Sequence, residues 1–332
     1  MAEKLLEVKN LSTSFFTSEG EVKAVDNVSY YVDKGEVVAI VGESGCGKSV
    51  SQLSSMQLVQ TPPGKITGGE VWFDGRDILK YGRTSKEMRA VRGAEIAEIF
   101  QEPMTSLNPV ITIGKQLSDV IMTHQKVSRK EALEKAVQAL KDVGIPSPES
   151  RIKSYPFEMS GGMRQRVMIA TAIACNSKLI IADEPTTALD VTTQAQVMDL
   201  LLDLVKSRGL SLIVVTHNLG LVTRYADRVY VMYAGKIIES GTTEQILTNP
   251  KHPYTIGLMS SVPKLNDLKD EPLVPIEGNP PLLSNLPDQC AFLPRCSKAC
   301  DKCKSLPYPK LVKTEKGHYS ACHLIEGGCE NG

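Results

Sequence analysis

A glycine-rich loop between a strand and a helix constrains the fold of this chain more than any other feature. The segment EVVAIVG, residues 36–42, predicts a buried strand, and residues Lys48–Val59 predict the helix that follows it. Between them lies GESGCGKS, residues 42–49, a complete P-loop in the required context. Short apolar segments alternate with helical patterns from about Val37 to Val231, which indicates an α/β fold with a mainly parallel sheet covered by helices.

The residue types in this loop fit a bound nucleotide. Glycines let backbone N–H groups converge on phosphate oxygens, Lys48 reaches the terminal phosphates, and the hydroxyl of Ser49 ligates Mg²⁺. The residues predicted to hold the nucleotide are Gly42, Ser44, Gly45, Cys46, Gly47, Lys48 and Ser49.

A P-loop also needs a carboxylate at the end of a neighbouring strand. The strand-like segment LIIADE supplies Asp183, which is expected to hold the hydrated Mg²⁺. The next residue, Glu184, is then placed to polarise the attacking water. Together the two motifs indicate a P-loop NTPase, which is a very large class.

Composition excludes several other classes. The chain has 332 residues, 42% of them hydrophobic, which is enough for a substantial core. The formal net charge is zero, so no overall basic field favours nucleic acid. The N-terminal MAEKLLEVKNLS lacks the apolar stretch of a signal peptide, and no run of 18 or more apolar residues occurs. We therefore expect a cytoplasmic chain that does not itself span a membrane.

The remaining patterns divide the chain into parts. Leu5–Val8 and Val22–Val32 predict an N-terminal antiparallel β layer with a turn at Gly20. Strand signals disappear between Ile113 and Cys175, which predicts an inserted helical subdomain at about residues 105–175. In it, Ser128 and Glu131 form the capping box of a helix.

The last part of the chain has a different character. After about Leu247 prolines become frequent and periodicity is weak. The sequence therefore predicts an ATPase-type domain at residues 1–247 and an irregular C-terminal extension at residues 248–332.

Further motifs specify a family. MSGGMRQRV, Met159–Val167, resembles the signature sequence of ABC proteins, with methionine where glutamine is commoner. The order of the motifs is also that of the family and spans roughly residues 5–245. The other matching positions are Gln101 of the Q-loop, Ala188, Leu189 and Asp190 of the D-loop, and His217 of the switch position. The chain thus resembles the ATP-hydrolysing subunits of ABC transporters.

This resemblance implies a set of roles. Gln101 would contact Mg²⁺ or water and report the nucleotide state to a transmembrane partner, and His217 would act in catalysis beside Glu184. An adenine-stacking ring is expected from Phe16, or from its neighbour Phe15.

The signature motif implies a partner subunit. A Ser-Gly-Gly turn that opens a helix can bind an anion, so Ser160, Gly161 and Gly162 can form a second phosphate cradle. The resemblance implies that this cradle serves the ATP of a second ABC subunit, identical or homologous, in a head-to-tail dimer. An ordinary helix N-cap is the alternative interpretation of the same three residues.

Several stretches resemble the oligopeptide and dipeptide importer branch in particular. They are IFQEPMTSLNPV from Ile99, YPFEMSGGMRQRV from Tyr155, HPYT from His252, and the cysteine-rich tail. The resemblance implies a motor on the cytoplasmic face of the membrane, with two permease subunits and an extracellular substrate-binding protein as partners. Nickel and oligosaccharides are alternative cargoes. The alternative function is that of a soluble ABC ATPase that acts on nucleic acid or ribosomes. Such proteins usually have two cassettes in tandem or a long coiled-coil insertion, and the sequence shows neither.

Six of the eight cysteines lie between Cys290 and Cys329. In a cytosolic protein such a cluster is more typical of a metal site than of disulfides. The family resemblance implies a [4Fe–4S] cluster, with Cys300 as a possible substitute for Cys303 and with Cys329 beyond the pattern. The predicted ligands are Cys290, Cys296, Cys303 and Cys322. A four-cysteine Zn²⁺ site and reduced structural thiols are the alternatives.

Overall fold

A computed structural model describes residues 3–101, 106–187, 189–261, 275–284 and 286–325. The chain forms two compact units that are interleaved along the sequence. Unit one comprises residues 1–5, 33–36 and 80–214, and unit two comprises residues 6–32, 37–79 and 215–332. The domain boundary predicted at residue 247 stays a prediction.

The strands are β1 (Lys4–Thr17), β2 (Gly20–Asp33), β3 (Val37–Val41), β4 (Gly64–Phe73), β5 (Arg76–Asp77), β6 (Ile96–Ile99), β7 (Leu179–Asp183), β8 (Ser211–Thr216), β9 (Arg228–Tyr233), β10 (Lys236–Thr242), β11 (Val312–Glu315) and β12 (His318–Ser320). The helices are α1 (Lys48–Ser55), α2 (Lys86–Val91), α3 (Ile113–His124), α4 (Arg129–Asp142), α5 (Pro148–Arg151), α6 (Gly161–Ile173), α7 (Val191–Arg208), α8 (Leu219–Tyr225), α9 (Thr243–Thr248), α10 (Pro253–Ser260) and α11 (Asp301–Ser305). Within the described ranges, no helix is long and apolar enough to cross a membrane.

Unit one contains a parallel strand pair and a group of helices. Strands β6 and β7 pair in parallel, with Glu98 opposite Ile181. Helices α3 and α4 pack together, and α4 also contacts α6. The start of α4 confirms the capping box, because the Ser128 hydroxyl accepts from the N–H of Glu131 while the Glu131 carboxylate accepts from the N–H of Ser128.

In unit two, β1 and β4 form an antiparallel pair within the four-stranded sheet β2-β1-β4-β5. The predicted β layer is therefore present, but its first two strands are longer than the sequence pattern indicates. Leu6 and Val8 of β1, two residues apart, are buried, and so is Phe73 of β4, which pairs with Leu6; these side chains lie on the buried face of the sheet.

Helix α1 is shorter than predicted, since it ends at Ser55 instead of continuing to Val59. The hydroxyls of Ser54 and Ser55 donate to the carbonyl oxygens of Val50 and Gln52, and the next residue but one, Gln57, has a φ of 54°. Serine hydroxyls that bond to the backbone in this way weaken a helix, and a positive φ ends it.

The rest of unit two surrounds β3 and β9, which pair in parallel. Strand β10 is antiparallel to both β9 and β12, so the C-terminal part of the chain adds its strands to this sheet. One apolar core joins Val41 and Val231 of the strands to Tyr254 of α10 and to Phe292. The C-terminal extension therefore packs directly against the strand that leads into the P-loop.

Candidate functional site

Two glycines of the P-loop, both in unit two, are required by close backbone approaches. A Cβ atom on Gly42 would lie 2.2 Å from the carbonyl oxygen of Met232, and one on Gly47 would lie 2.1 Å from that of Ala24. Gly47 also has a φ of 100° and is the N-cap of α1. Larger residues are excluded at both positions, so the loop backbone is held tightly against β9 and β2.

The other loop residues are placed at the start of α1. Lys48 is 5% exposed, and its ammonium group donates to the carbonyl oxygens of Gly42 (2.8 Å) and Glu43 (2.9 Å). Ser49 is half-buried in the first turn of α1, whereas Ser44 and Gly45 are exposed. A helix N-terminus carries free N–H groups and a partial positive charge, so this end of α1 favours an anion.

Cys46 and Phe16 differ in accessibility. Burial raises the pKa of the Cys46 thiol above its ordinary value, so the thiol is protonated and slow to react. Phe16 is 50% exposed near the end of β1, whereas Phe15 is half-buried. The ring free to stack on a base at this strand end is therefore that of Phe16, and its role in binding adenine stays a prediction.

The predicted carboxylates lie in unit one, at the end of β7. Asp183 is the last residue of the strand and is 6% exposed. The Glu184 carboxylate accepts from the side-chain amide of Gln101 (3.0 Å) and from the hydroxyl of Thr187 (2.8 Å). The structure thus brings the predicted Gln101 and Glu184 into direct contact.

The backbone of Glu184 is strained, with a φ of 44°. A positive φ in a residue other than glycine, asparagine or aspartate costs of order 1 kcal/mol and is frequent at functional sites. Here the strain accompanies two side-chain hydrogen bonds that fix the carboxylate. The two hydrogen bonds orient the carboxylate at the strand end, and its role as a general base stays a prediction.

Sequence reasoning missed Glu98 on the neighbouring strand β6. Both of its carboxyl oxygens are buried without a hydrogen-bond partner. Burial, and next the charge of Asp183, raise the pKa of Glu98 to about 8. The available signal was a glutamate within the apolar run IAEIF, because a strand buried on both faces is normally apolar throughout.

The signature motif opens α6 in unit one. The hydroxyl of Ser160 accepts from the N–H of Met163 (3.3 Å), so Ser160 is an N-cap. Ser160 and Gly161 are exposed, and a Cβ on Gly162 would lie 2.9 Å from a methyl group of Thr193. The cap leaves the first N–H groups of the helix available to a further anion. That these N–H groups bind the ATP held by a second subunit stays a prediction.

The other family positions flank α7 and β8. The carboxylate of Asp190 accepts from the N–H of Thr193 (3.0 Å) and thereby caps α7, while Ala188 lies outside the described residues. His217 directly follows β8 and is exposed. The P-loop and His217 belong to unit two, whereas Gln101 and Glu184 belong to unit one.

All four predicted cysteine ligands line one small cavity in unit two, together with Phe292 and Leu293. Cys290, Cys296, Cys303 and Cys322 are free thiols, whereas Cys300 is disulfide-bonded. Cys329 lies outside the described residues. The four thiols that follow the predicted spacing are therefore those that share the cavity.

The electrostatics of this cavity disfavour isolated thiolates. Burial, and to a lesser extent the neighbouring Cys290, Cys296 and Cys303, raise the pKa of Cys322 to about 12. A cation would reverse this effect, because metal ligation stabilises the thiolate. With the side chains as they stand, no group of three or more His, Cys, Asp or Glu residues within the described ranges is arranged to hold a metal ion.

Comparison with known protein families assigns both parts of the chain. Residues 25–187 match the ABC transporter family, and residues 238–303 match the C-terminal region of oligopeptide/dipeptide transporters. The oligopeptide transport ATP-binding protein OppD of Bacillus subtilis is 51% identical over 322 residues, which cover 97% of this chain and 89% of that protein. The dipeptide transport ATP-binding protein DppD of the same organism is 47% identical over 99% of this chain and 97% of its own length.

Solved structures give the same fold. A dimeric, post-hydrolysis structure of the ATP-binding cassette MJ0796 with ADP and Pi has a TM-score of 0.63, is 28% identical, and covers 72% of this chain and 98% of its own. CbiO1 of Clostridium perfringens, part of an ABC transporter complex, has a TM-score of 0.62 at 27% identity, over 74% of this chain and 92% of its own. This chain has the P-loop fold of ABC ATPases and belongs to the family of oligopeptide/dipeptide ABC transporter ATP-binding proteins.

Proposed function

We propose that this chain binds and hydrolyses ATP to power the import of oligopeptides or dipeptides through an ABC transporter. The observation that carries the hydrolytic part is the Glu184 carboxylate, which follows the buried Asp183 and is fixed by Gln101 and Thr187. The peptide cargo is supported by the names of relatives that match nearly the whole chain.

Each side chain has a definite role in this proposal. Lys48 would contact the terminal phosphates in place of the loop carbonyls, and Ser49 and Asp183 would hold Mg²⁺, which would offset the phosphate charge. Glu184 accepts a proton from the attacking water, and Gln101 orients both carboxylate and water. His217 stabilises the charge that develops on the transferred phosphate.

Two copies, or two homologous chains, are proposed to act head to tail. In this arrangement Ser160, Gly161 and Gly162 of one subunit contact the ATP that the P-loop of the other subunit holds. The capped but exposed start of α6 supports this assignment, because its first N–H groups can donate hydrogen bonds to an anion of another molecule. The dimer would bind two permease subunits at the cytoplasmic face of the membrane, and an extracellular binding protein would deliver the cargo.

Reconstitution tests the function directly. The chain should be co-purified with its permease partners, inserted into proteoliposomes with the binding protein, and supplied with ATP on the motor side. ATP-dependent uptake of a labelled di- or oligopeptide is the expected result. Uptake of nickel or oligosaccharide alone would contradict the peptide cargo, and co-purification with nucleic acid or ribosomes instead of permeases would contradict transport.

We also propose that Cys290, Cys296, Cys303 and Cys322 hold a [4Fe–4S] cluster. Their shared cavity supports this set, because four sulfur donors satisfy the four irons of one cubane. The bound cluster would neutralise the thiolates and stabilise the extension, and the transport reaction has no redox step for it to perform.

Metal analysis of anaerobically purified chain tests the cluster. About four irons per chain and a brown colour are expected, and Cys322→Ser should lose them. The matched control is Cys300→Ser, which should keep the iron because Cys300 does not line the cavity that the four proposed ligands share. Stoichiometric zinc without iron would contradict the cluster and favour a Zn²⁺ site.

A further inference from the structure

A carboxylate lies inside the phosphate loop, where it would oppose the binding of an anion. Glu43 follows the first glycine of the P-loop, and its own carbonyl oxygen accepts a hydrogen bond from Lys48 (2.9 Å). Phosphates of ATP bring several negative charges to this loop, so an uncompensated carboxylate beside them would weaken binding by repulsion. Neither the P-loop motif nor the family comparison assigns a role to this residue.

The C-terminal extension supplies the compensating charge. Arg295 donates through Nη1 to one carboxylate oxygen of Glu43 (2.6 Å) and through Nη2 to the other (2.9 Å). The Arg295 side chain is 5% exposed and that of Glu43 is 25% exposed. This is a bidentate arginine–carboxylate pair that is partly shielded from water, and the two parallel hydrogen bonds make it a strong and specific contact.

The guanidinium is itself held in place. Its Nε donates to the carbonyl oxygen of Glu277 (3.0 Å), which fixes the orientation of the guanidinium. A second contact reaches the same loop residue, because the N–H of Glu43 donates to the hydroxyl of Tyr254 (2.8 Å). The ring of Tyr254 packs on Phe292, three residues before Arg295. The C-terminal extension thus forms hydrogen bonds with both the backbone and the side chain of Glu43.

We propose that Arg295 is a positioning residue of the nucleotide site, which acts through Glu43: it neutralises the Glu43 carboxylate and so lets the phosphate loop bind the anionic phosphates. This inference rests on the proposed ATP function, and it assigns the C-terminal extension a part in nucleotide affinity. Arg295 directly precedes Cys296 and belongs to the short helical turn Leu293–Arg295, between two of the proposed metal ligands. The phosphate loop is therefore tied to the segment that the cysteines organise.

A double-mutant cycle on the full-length chain tests the charge compensation. Binding of a fluorescent MgATP analogue should be measured for wild type, Arg295→Ala, Glu43→Gln and the double variant. Arg295→Ala is expected to raise Kd by about tenfold or more, because it leaves a shielded carboxylate unpaired beside the phosphates. Glu43→Gln alone should change Kd by less than about threefold, and in the Arg295→Ala background it should restore most of the lost affinity.

The restored affinity separates charge compensation from mere folding of the extension. If Arg295 only stabilised the extension, the double variant would bind as weakly as Arg295→Ala, and that result would overturn the proposal. An unchanged Kd for Arg295→Ala would overturn it as well. Lys304→Ala is the matched control, since this exposed extension cation pairs with Asp301 and should bind nucleotide like wild type. If the wild-type chain itself failed to bind MgATP, that result would contradict the proposed ATP function, on which the role of Arg295 depends.

Discussion

Replacing Glu239 by alanine should detach the C-terminal extension from the sheet. Glu239 lies on β10 with its side chain fully buried. Its carboxylate accepts from the backbone N–H groups of Lys251 (2.6 Å) and His252 (2.9 Å), and it contacts Nε2 of His318 at 2.7 Å. Burial alone would raise the pKa of this carboxyl, but hydrogen bonds from His318 and from these N–H groups lower it below its ordinary value. One carboxylate thus joins β10, the start of the HPYT motif and β12.

The size of the destabilisation follows from the number of hydrogen-bond donors that lose their acceptor. Each buried donor that loses its acceptor costs about 1–3 kcal/mol, and three donors depend on Glu239. Water entering the space left by the side chain recovers part of this loss. We therefore expect Glu239→Ala to lower the local free energy of unfolding by about 4 kcal/mol.

Hydrogen exchange measures this local change. A loss of about 4 kcal/mol corresponds to roughly a thousandfold faster exchange for the amides of Lys251 and His252. Glu239→Gln keeps one acceptor oxygen and should lie between wild type and alanine. Glu244→Ala changes an exposed residue on the adjacent helix α9 and should alter the free energy of local opening, measured by exchange, by less than about 0.5 kcal/mol. If the amides of Lys251 and His252 exchanged as slowly in Glu239→Ala as in the Glu244→Ala control, the predicted loss of local stability would be wrong.

Three further predictions concern buried groups. Burial lowers the pKa of His252 to about 4, so the contribution of His252 to stability should be full above pH 6.5 and fall by up to roughly 3 kcal/mol towards pH 4; urea unfolding of His252→Asn should lose this part of the pH dependence. The pKa of Glu98 is raised to about 8, so the contribution of Glu98 to stability is present below about pH 4.3 and is lost as the pH rises through 8. Glu98→Gln should therefore be more stable than wild type by up to about 5 kcal/mol at pH 9 and match it at pH 4, and equal stability at both pH values would contradict this. N-Ethylmaleimide on Cys46 should block MgATP binding, and bound MgATP should slow the modification; full binding by chain that mass spectrometry shows to be completely modified would count against it.

Local chemistry made parts of this fold predictable from sequence. The capping box of Ser128 and Glu131 involves residues three apart, so the pattern and the hydrogen bonds coincide. The P-loop was predictable for a similar reason, because its glycines are needed for close contacts that belong to the strand–loop–helix motif itself. The carboxylates at the end of β7 were found in the same way, because the P-loop motif calls for an acidic residue at a strand end and the segment LIIADE supplies it.

Contacts between distant residues were not predictable. Glu43 and Arg295 are 252 positions apart, and neither belongs to a pattern that points to the other. The unpartnered Glu98 is a tertiary consequence as well, because its burial depends on what packs over β6. The early end of α1 depends on serine side chains that a helical hydrophobic pattern does not register.

The most direct test of the account is the ATPase activity of Glu184→Gln in the assembled transporter. Glutamine keeps the shape of the side chain but cannot accept the proton from water, a contribution worth about 10²–10⁴-fold in rate. We expect kcat to fall at least about 100-fold while the Kd for MgATP stays within about twofold, because the carboxylate acts only in the transition state. Lys48→Ala, by contrast, should weaken binding itself. Near-normal steady-state ATPase from Glu184→Gln would contradict the assignment of Glu184 as the general base.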